Sequence, residues 1–370
     1  MKRILGRRGR GAVLVGLACL AIFAVTPAVA GSGPAAHAPI GVMGDHVHGQ
    51  GEVMFSYRYM RMGMNGLRNG SERISRSRVL DDFMVTPTSM DMEMHMFGAM
   101  FAPIERVTLM LMVPYVLMEM EHRIGMSGLT FTTRSEGLGD VRATALVELW
   151  KSEAGHGGHG GDAHGDVAGA AHDGHGGAGR HHAIHANLGL SFPTGALNRR
   201  DRTPASAPAR VRLPYPMQIG SGSFDFLPGL TYAGGDGSLS WGAQARGEIR
   251  LNENHADYRQ GNEYALTAWT AWEWCDWLST SLRTEWQHTL NHRGSDPSIG
   301  PMPTIPTKDP GRRAFQRLDF LLGVNLLVPA GPLEGIRFAI EAGVPAFQHL
   351  DGPGLETDWI TTVGLQYAFD

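Results

Sequence analysis

Along the stretch 90–115, MDMEMHMFGAMFAPIERVTLMLMVPY, apolar residues take every second position at first, with Asp91, Glu93 and His95 set between Met90, Met92, Met94 and Met96. A period of two belongs to a strand, whose side chains alternate between faces, whereas a helix would scatter these residues around its circumference. The pattern predicts two strands joined by a tight turn at 102–106. The same period recurs in twelve segments, at 51–64, 90–101, 106–120, 138–151, 183–195, 218–232, 238–252, 262–274, 278–290, 313–328, 336–348 and 357–369. It is cleanest in 238–252, where Leu239, Trp241, Ala243, Ala245, Ile249 and Leu251 alternate with Ser240, Gln244, Arg246, Glu248 and Arg250.

The links between these segments alternate long and short. An even number of strands, each about ten residues or more, with short turns at one end and long loops at the other, predicts an all-β fold. Specifically, it predicts a transmembrane antiparallel outer-membrane β-barrel of twelve strands with both termini periplasmic. Aromatic residues near strand ends, among them Tyr57, Tyr59, Tyr115, Trp272, Trp274 and Trp359, suit girdles at the two membrane interfaces. A soluble β-sandwich also alternates its faces, but it does not require the regular long and short links.

The start of the chain supplies an address. Lys2, Arg3, Arg7, Arg8 and Arg10 precede an apolar run from Ala12 to Val25, and Ala28-Val29-Ala30 follows, which is the pattern of a secretory signal peptide over 1–30. Residues 31–50 are then an N-terminal periplasmic segment and 51–370 the barrel, interrupted by a His/Gly-rich periplasmic insertion at 152–182. Cys19 leaves with the signal, so Cys275 has no internal disulfide partner. A net charge of −4 makes no case for nucleic acid.

The runs MGDHVHGQGEVMFSYRYMRMGMNG, VTPTSMDMEMHMFGAMFAPIERVTLMLMVPY and GLGDVRATALVEL resemble a group of bacterial proteins labelled as transporters. That group is related to the outer-membrane family named after the meta-pathway of phenol degradation. The resemblance covers Met43 to about Leu149 and implies the barrel fold and the outer membrane. It carries no catalytic residues.

Three features carry candidate chemistry. Sixteen of the nineteen methionines fall between Met43 and Met126. Met60, Met62, Met64, Met118 and Met120 are expected in the lumen. Asp91, Glu93 and His95 are expected beside them, because ionisable groups avoid lipid, which turns Met90–Met96 outward. Thioethers with imidazole suit Cu(I), while flexible methionines filling irregular lumenal space account for the same residues more plainly. The run from Gly155 to His185, which takes in the insertion, supplies His156, His159, His164, His172, His175, His181, His182 and His185, imidazoles able to take Zn, Cu or Ni in interchangeable arrangements, or simply a solvated spacer. His46 and His48, just before the first strand, are expected on the same periplasmic side.

The expected lumenal charges are mixed, with Arg58, Arg142, Arg246, Arg250, Arg283, Arg317 and Arg337 facing a larger set of acids. The arginines of 199–212 suit lipopolysaccharide phosphates or solvent. His288 shares its strand with Ser279 and Ser281 but lies on the opposite phase, so no hydrolase set is predicted and no cofactor is required. The reading is a non-enzymatic outer-membrane channel or transporter for a small solute or metal ion, possible copper handling included. Its alternative is a non-transporting protein that sequesters metal through the His-rich insertion. The partners expected are outer-membrane lipid, lipopolysaccharide and the solute; oligomeric state is not encoded in the pattern.

Overall fold

The computed structural model describes residues 33–153, 180–300 and 304–369. Seventeen strand elements occur in chain order: β1 (Val53–Gly70), β2 (Glu72–Ile74), β3 (Val85–Ile104), β4 (Val107–Ile124), β5 (Thr130–Leu138), β6 (Val141–Glu153), β7 (His181–Phe192), β8 (Arg200–Asp201) and β9 (Val211–Arg212). These are followed by β10 (Asp225–Asp236), β11 (Leu239–Arg250), β12 (Tyr258–Arg259), β13 (Glu263–Cys275), β14 (Leu278–Thr289), β15 (Arg293–Gly294), β16 (Phe315–Leu327) and β17 (Arg337–Phe369). One short helix, α1 (Arg76–Asp82), sits between β2 and β3, capped by the Ser75 hydroxyl, which accepts from the Arg78 amide at 3.2 Å.

Eleven of these elements form a closed antiparallel ring in the order β1-β3-β4-β6-β7-β10-β11-β13-β14-β16-β17, and β17 returns to β1. The last element serves both of its neighbours: residues 337–350 pair with β16, and residues 350–369 pair with β1. Closure removes the free edges that an open sheet would present to lipid. β2 and β5 extend the sheet beyond the ring, β5 lying on the Tyr115–Arg123 half of β4 while β6 takes the Val107–Met112 half. Among the described residues no helix is long and apolar enough to cross a membrane.

The faces follow the period of two. Phe97, Leu111, Leu190, Leu230, Leu266, Leu282, Leu322 and Ile340, drawn from eight ring strands, are exposed on the outside. A belt of this extent is unfavourable in water and matches the apolar band of an outer-membrane barrel. The opposite phase is polar and buried: Arg58, Ser279, Arg283, Asp319, Asn325, Arg337 and Glu341 all point into the ring.

The strands are unequal in length, and this corrects one expectation. About 9–11 residues of tilted strand cross the hydrocarbon, yet β3 has 20 residues and β1 and β4 have 18 each. Counted from the tight β3–β4 turn, the part of β3 beyond His95 projects past the apolar band. In that part Asp91, Glu93 and His95 face outward, not into the lumen. Register leaves no choice: Arg61 pairs with Glu93 and Tyr59 with His95, on the same face as the exposed Phe55 and Phe97. Arg61 makes a 3.1 Å ion pair with Asp91, and His95 Nδ1 lies 2.8 Å from the Tyr57 hydroxyl. The methionines between them therefore face the lumen, with Met60 opposite Met94, Met62 opposite Met92, Met64 opposite Met90, and Met90 and Met92 opposite Met120 and Met118.

Candidate functional site: an occupied lumen

Residues 33–52 run across the bore. The Ser279 hydroxyl donates to the Pro34 carbonyl at 2.9 Å, Arg337 Nη2 to that of Ala38 at 2.6 Å, and Arg58 Nε to that of Ile40 at 3.0 Å. The Gly41 amide donates to Glu341 at 3.1 Å, while Gln244 Nε2 donates to the Met43 carbonyl at 3.0 Å and His185 Nε2 to that of Gly44 at 2.9 Å. The His48 amide donates to Thr108 Oγ1 at 2.8 Å. These partners sit on β1, β4, β7, β11, β14 and β17, around the whole ring, so the segment can only cross the interior. Ala38 and Val42 pack on the inward-facing Trp269. The chain turns at Pro39–Val42, where the Val42 amide donates to the Pro39 carbonyl at 2.8 Å, and bends again at Gly44, whose φ of +63° favours glycine.

Around this segment the lumenal charges pair with one another. Arg283 binds Glu341 at 2.7 Å and also Glu285; Arg246 binds Glu285 at 2.6 Å; Arg142 binds Glu248 at 2.8 Å; and Arg250 bridges Asp225, Glu248 and Glu263. Arg317 reaches Asp319 at 2.9 Å and Gln287 at 3.0 Å. Pairing offsets the desolvation that each of these ions would suffer alone. Between the segment and the wall a cavity of about 210 Å³ remains. Met43, Met110 and Met112 give it an apolar side; Arg142, Arg246, Glu248 and Gln287 give it a charged and polar one.

The long-loop end is covered by the loops themselves. Leu197, Tyr215, Ala256, Tyr258 and Ile299 form a buried cluster drawn from three links, and Arg212 makes a buried 2.6 Å pair with Asp296. Leu213 and Met217 descend onto Met90, Val116, Met118 and Met120, with Met64, Met92 and Met94 alongside. Met62 Sδ lies 3.8 Å from Thr357 Oγ1 and 3.9 Å from Arg317 Nη1. Of the sequence-predicted methionines, Met64, Met118 and Met120 thus come together as packing beneath the loops, Met62 sits against Arg317 and Thr357, and Met60 pairs with Met94 on the lumenal face; Asp91, Glu93 and His95 are not among them.

The predicted histidines divide into three groups. His156, His159, His164, His172 and His175 lie outside the described residues. His181, His182 and His185 belong to β7: His185 is buried in the lumen, while His182 stacks with Trp150 and Tyr232 and accepts from or donates to the Tyr232 hydroxyl at 2.9 Å. His46 and His48 lie in the bore-crossing segment, next to a residue the sequence reading passed over, His37.

His37, Asp45 and His46 bring one donor atom each to within 4.8 Å of one another. Asp45 Oδ2 accepts from the Ala38 amide at 2.9 Å, closing the loop 38–45, and Oδ1 is 3.1 Å from His46 Nδ1. The rings of His37 and His46, and of His46 and His48, meet edge to face at 4.5 Å, and His48 Nδ1 is 2.7 Å from Glu52. Burial, aided by the nearby charges of His46 and Arg337, pushes the His37 imidazole well below its ordinary value. For His46, burial alone would do the same, but the charges of Asp45 and Glu52 outweigh it and raise the group. Burial would raise the Asp45 carboxyl, yet the charges of His46 and His37 hold it well below the usual carboxylate range. The spacing His37-x7-Asp45-His46-x-His48 was present in the sequence as a signal. Only the turn at Pro39–Val42 and the bend at Gly44, closed by the Ala38–Asp45 bond, bring its two ends together.

His288 stacks on Trp286, on the face opposite that of Ser279 and Ser281, so these residues do not assemble into a nucleophile and base.

The family model described as "Putative MetA-pathway of phenol degradation" matches residues 104–308 of the chain. No curated protein sequence is similar to it. Among solved structures, an outer membrane channel from Pseudomonas putida F1 superposes with a TM-score of 0.53 at 11% identity, covering 88% of this chain and 98% of that one. The β domain of the Bordetella autotransporter BrkA gives 0.39 at 10% identity, over 86% of this chain and 100% of that one. A FadL homologue from Pseudomonas aeruginosa gives 0.34 at 10% identity, over 85% and 89%. The fold likeness rests on the first of these: the ring is a barrel of the outer-membrane type.

Proposed function

Since the chain belongs to the family described as the "Putative MetA-pathway of phenol degradation", whose model spans more than half of it, we propose that it is a non-enzymatic channel or transporter that moves a small solute across the bacterial outer membrane. The observation that carries this reading is the way the bore is filled. Wall side chains line it with paired charges, but the length of chain that leads into β1, 33–50, fills its centre through hydrogen bonds to six ring strands before residues 51 and 52 join the ladder to β3. A barrel whose role was only to hold shape could pack its lumen from the wall alone. Release of an occupant held in this way would open the bore as a gate does. The Pseudomonas putida F1 protein of similar fold is itself an outer membrane channel, which supports this reading.

The cavity beside the segment combines thioether carbon with guanidinium and carboxylate. It suits a small solute with an apolar body and one charged or hydrogen-bonding group. With the chain read as exported through the signal at 1–30, the short-turn end and both termini belong in the periplasm. The long loops then face outward, where the exposed Arg200, Arg202 and Arg210 suit lipopolysaccharide phosphates.

The test is single-channel conductance of the full chain in planar bilayers, beside the double variant Arg337→Gln/Gln244→Ala, which releases two side-chain grips on the segment. The full chain is expected to show small or brief openings and the variant larger or longer ones. Bilayers that stay silent with both proteins, each confirmed as folded by its heat-dependent gel mobility, would rule out transport.

A further inference from the structure

We infer that His37, Asp45 and His46, with His48 beside them, form a binding site for one divalent cation of the Zn(II) or Cu(II) class, which fastens the two arms of the bore-crossing loop to each other.

The donors are of the type such ions take, imidazole nitrogen and carboxylate oxygen. Their placement goes beyond a casual meeting of polar groups. His46 Nδ1 and His48 Nδ1 each face a carboxylate, at 3.1 and 2.7 Å, while the buried His46 Nε2, His48 Nε2 and His37 Nδ1 make no hydrogen bond. Buried polar atoms without partners are costly and uncommon, and three on neighbouring imidazoles mark a place prepared for something else. Asp45 and Glu52 set two carboxylates beside the imidazoles, within reach of the Arg337 and Arg58 guanidiniums.

The separations are close to what ligation needs. A tetrahedron with bonds of about 2.0–2.1 Å has donor–donor edges of roughly 3.4 Å. His46 Nδ1 and Asp45 already stand 3.1 Å apart, and His37 Nδ1 is 3.9 Å from the same carboxylate. Modest rotation of the imidazoles closes the rest of the 4.8 Å spread.

The position gives the site a consequence. His37 lies before the loop 38–44 and Asp45 and His46 after it, and that loop makes the contacts to Arg337, Arg58, Glu341 and Gln244. An ion joining both ends fixes the loop in its bore-filling shape. The site stands apart from the transport reading, because binding in detergent requires no flux.

The experiment is calorimetric titration of the full, refolded chain with Zn(II), alongside the double variant His37→Ala/His46→Ala, both retaining the His-rich insertion. Heat-dependent gel mobility of both proteins confirms that each barrel is closed. A tight one-equivalent phase in the unaltered chain that disappears in the variant, leaving only weaker multi-site uptake, is the expected result. Cu(II) electron paramagnetic resonance provides a second readout, with nitrogen hyperfine splitting expected in the first equivalent and lost in the variant. Identical titrations and spectra from the two proteins, or no tight phase in either, would overturn the site. Conductance in bilayers without metal binding would overturn it while leaving the transport reading intact.

Discussion

Arg337, the first residue of β17, donates from Nη2 to the carbonyl of Ala38 at 2.6 Å. One bond thus joins the closing element of the barrel to the segment that occupies its bore. The same guanidinium also reaches Gln366 and Asn325, each at 2.6 Å, so the grip on the segment is braced by the wall. Several measurable consequences follow from this arrangement of ring, segment and loops.

The facing of β3 can be read by charge substitution. Leu322, 69% exposed near the middle of β16, lies in the apolar band, and Leu322→Lys is expected to destabilise the barrel in lipid vesicles by about 2–4 kcal/mol. Glu93→Lys, on the projecting outer face of β3, is expected to cost about 0–1 kcal/mol. Urea unfolding in vesicles checks both, and equal losses would place Glu93 at the wrong height.

Buried ion pairs set the second prediction. Arg283 and Glu341 are both almost fully shielded and bonded at 2.7 Å, and Glu341 also accepts from the Gly41 amide. Glu341→Gln leaves the guanidinium short of one charge partner and is expected to destabilise the barrel by up to about 3–5 kcal/mol. The shift in guanidinium midpoint measures it, with Arg283→Met/Glu341→Met expected to recover part of the loss.

His292, in the link after β14, gives the loop cover a pH dependence. Burial, with the charges of Arg313 and Arg250 adding to it, lowers this imidazole to about 3, and it accepts from the Gly261 amide at 3.1 Å while stacking on Tyr258. Its unfolded value is about 6.5. A depressed value in the folded state means that the neutral form is the one the fold holds. The contribution is therefore complete above pH about 6.5 and is lost as pH falls from there towards 3. Protease cleavage of the long loops is expected to accelerate over that window, and His292→Gln to flatten the response.

Gly220 tests how closely the loop cover is packed. A Cβ there would meet the Gly195 carbonyl oxygen and carbon, backbone atoms that no side-chain rotation can move aside. Gly220→Ala is expected to cost about 1–3 kcal/mol through forced displacement. Faster cleavage between 193 and 224, with unchanged gel mobility of the barrel, is the outcome that checks it.

Much of this molecule is legible in one dimension. The period of two fixes which residues share a face, and the expected segments 238–252, 262–274 and 278–290 match β11, β13 and β14 to within two residues. The lumenal arginines, from Arg58 to Arg337, were readable in the same way, because polar phases repeat strand after strand. The face of β3 was not, since alternation leaves open which phase points inward. A strand lying wholly in lipid would turn its ionisable phase inward. The height of Asp91 and Glu93 above the apolar band, set by the length of β3 and its pairing to Arg61, reverses it.

By itself, the sequence determined most of the ring strands, their antiparallel order and the apolar belt, because these depend on local alternation and on short links between neighbours; the expected count of twelve meets a ring of eleven elements, because 336–348 and 357–369 run together as β17. Tertiary structure alone decided what fills the ring. Residues 33–52 carry no strand period, and their place in the bore comes from single hydrogen bonds to β1, β4, β7, β11, β14 and β17, partners as much as about 300 residues away. Likewise His37 and His46 lie far enough apart in sequence to look unrelated. Only the turn at Pro39–Val42 and the bend at Gly44, held in place by the wall, bring their rings to 4.5 Å.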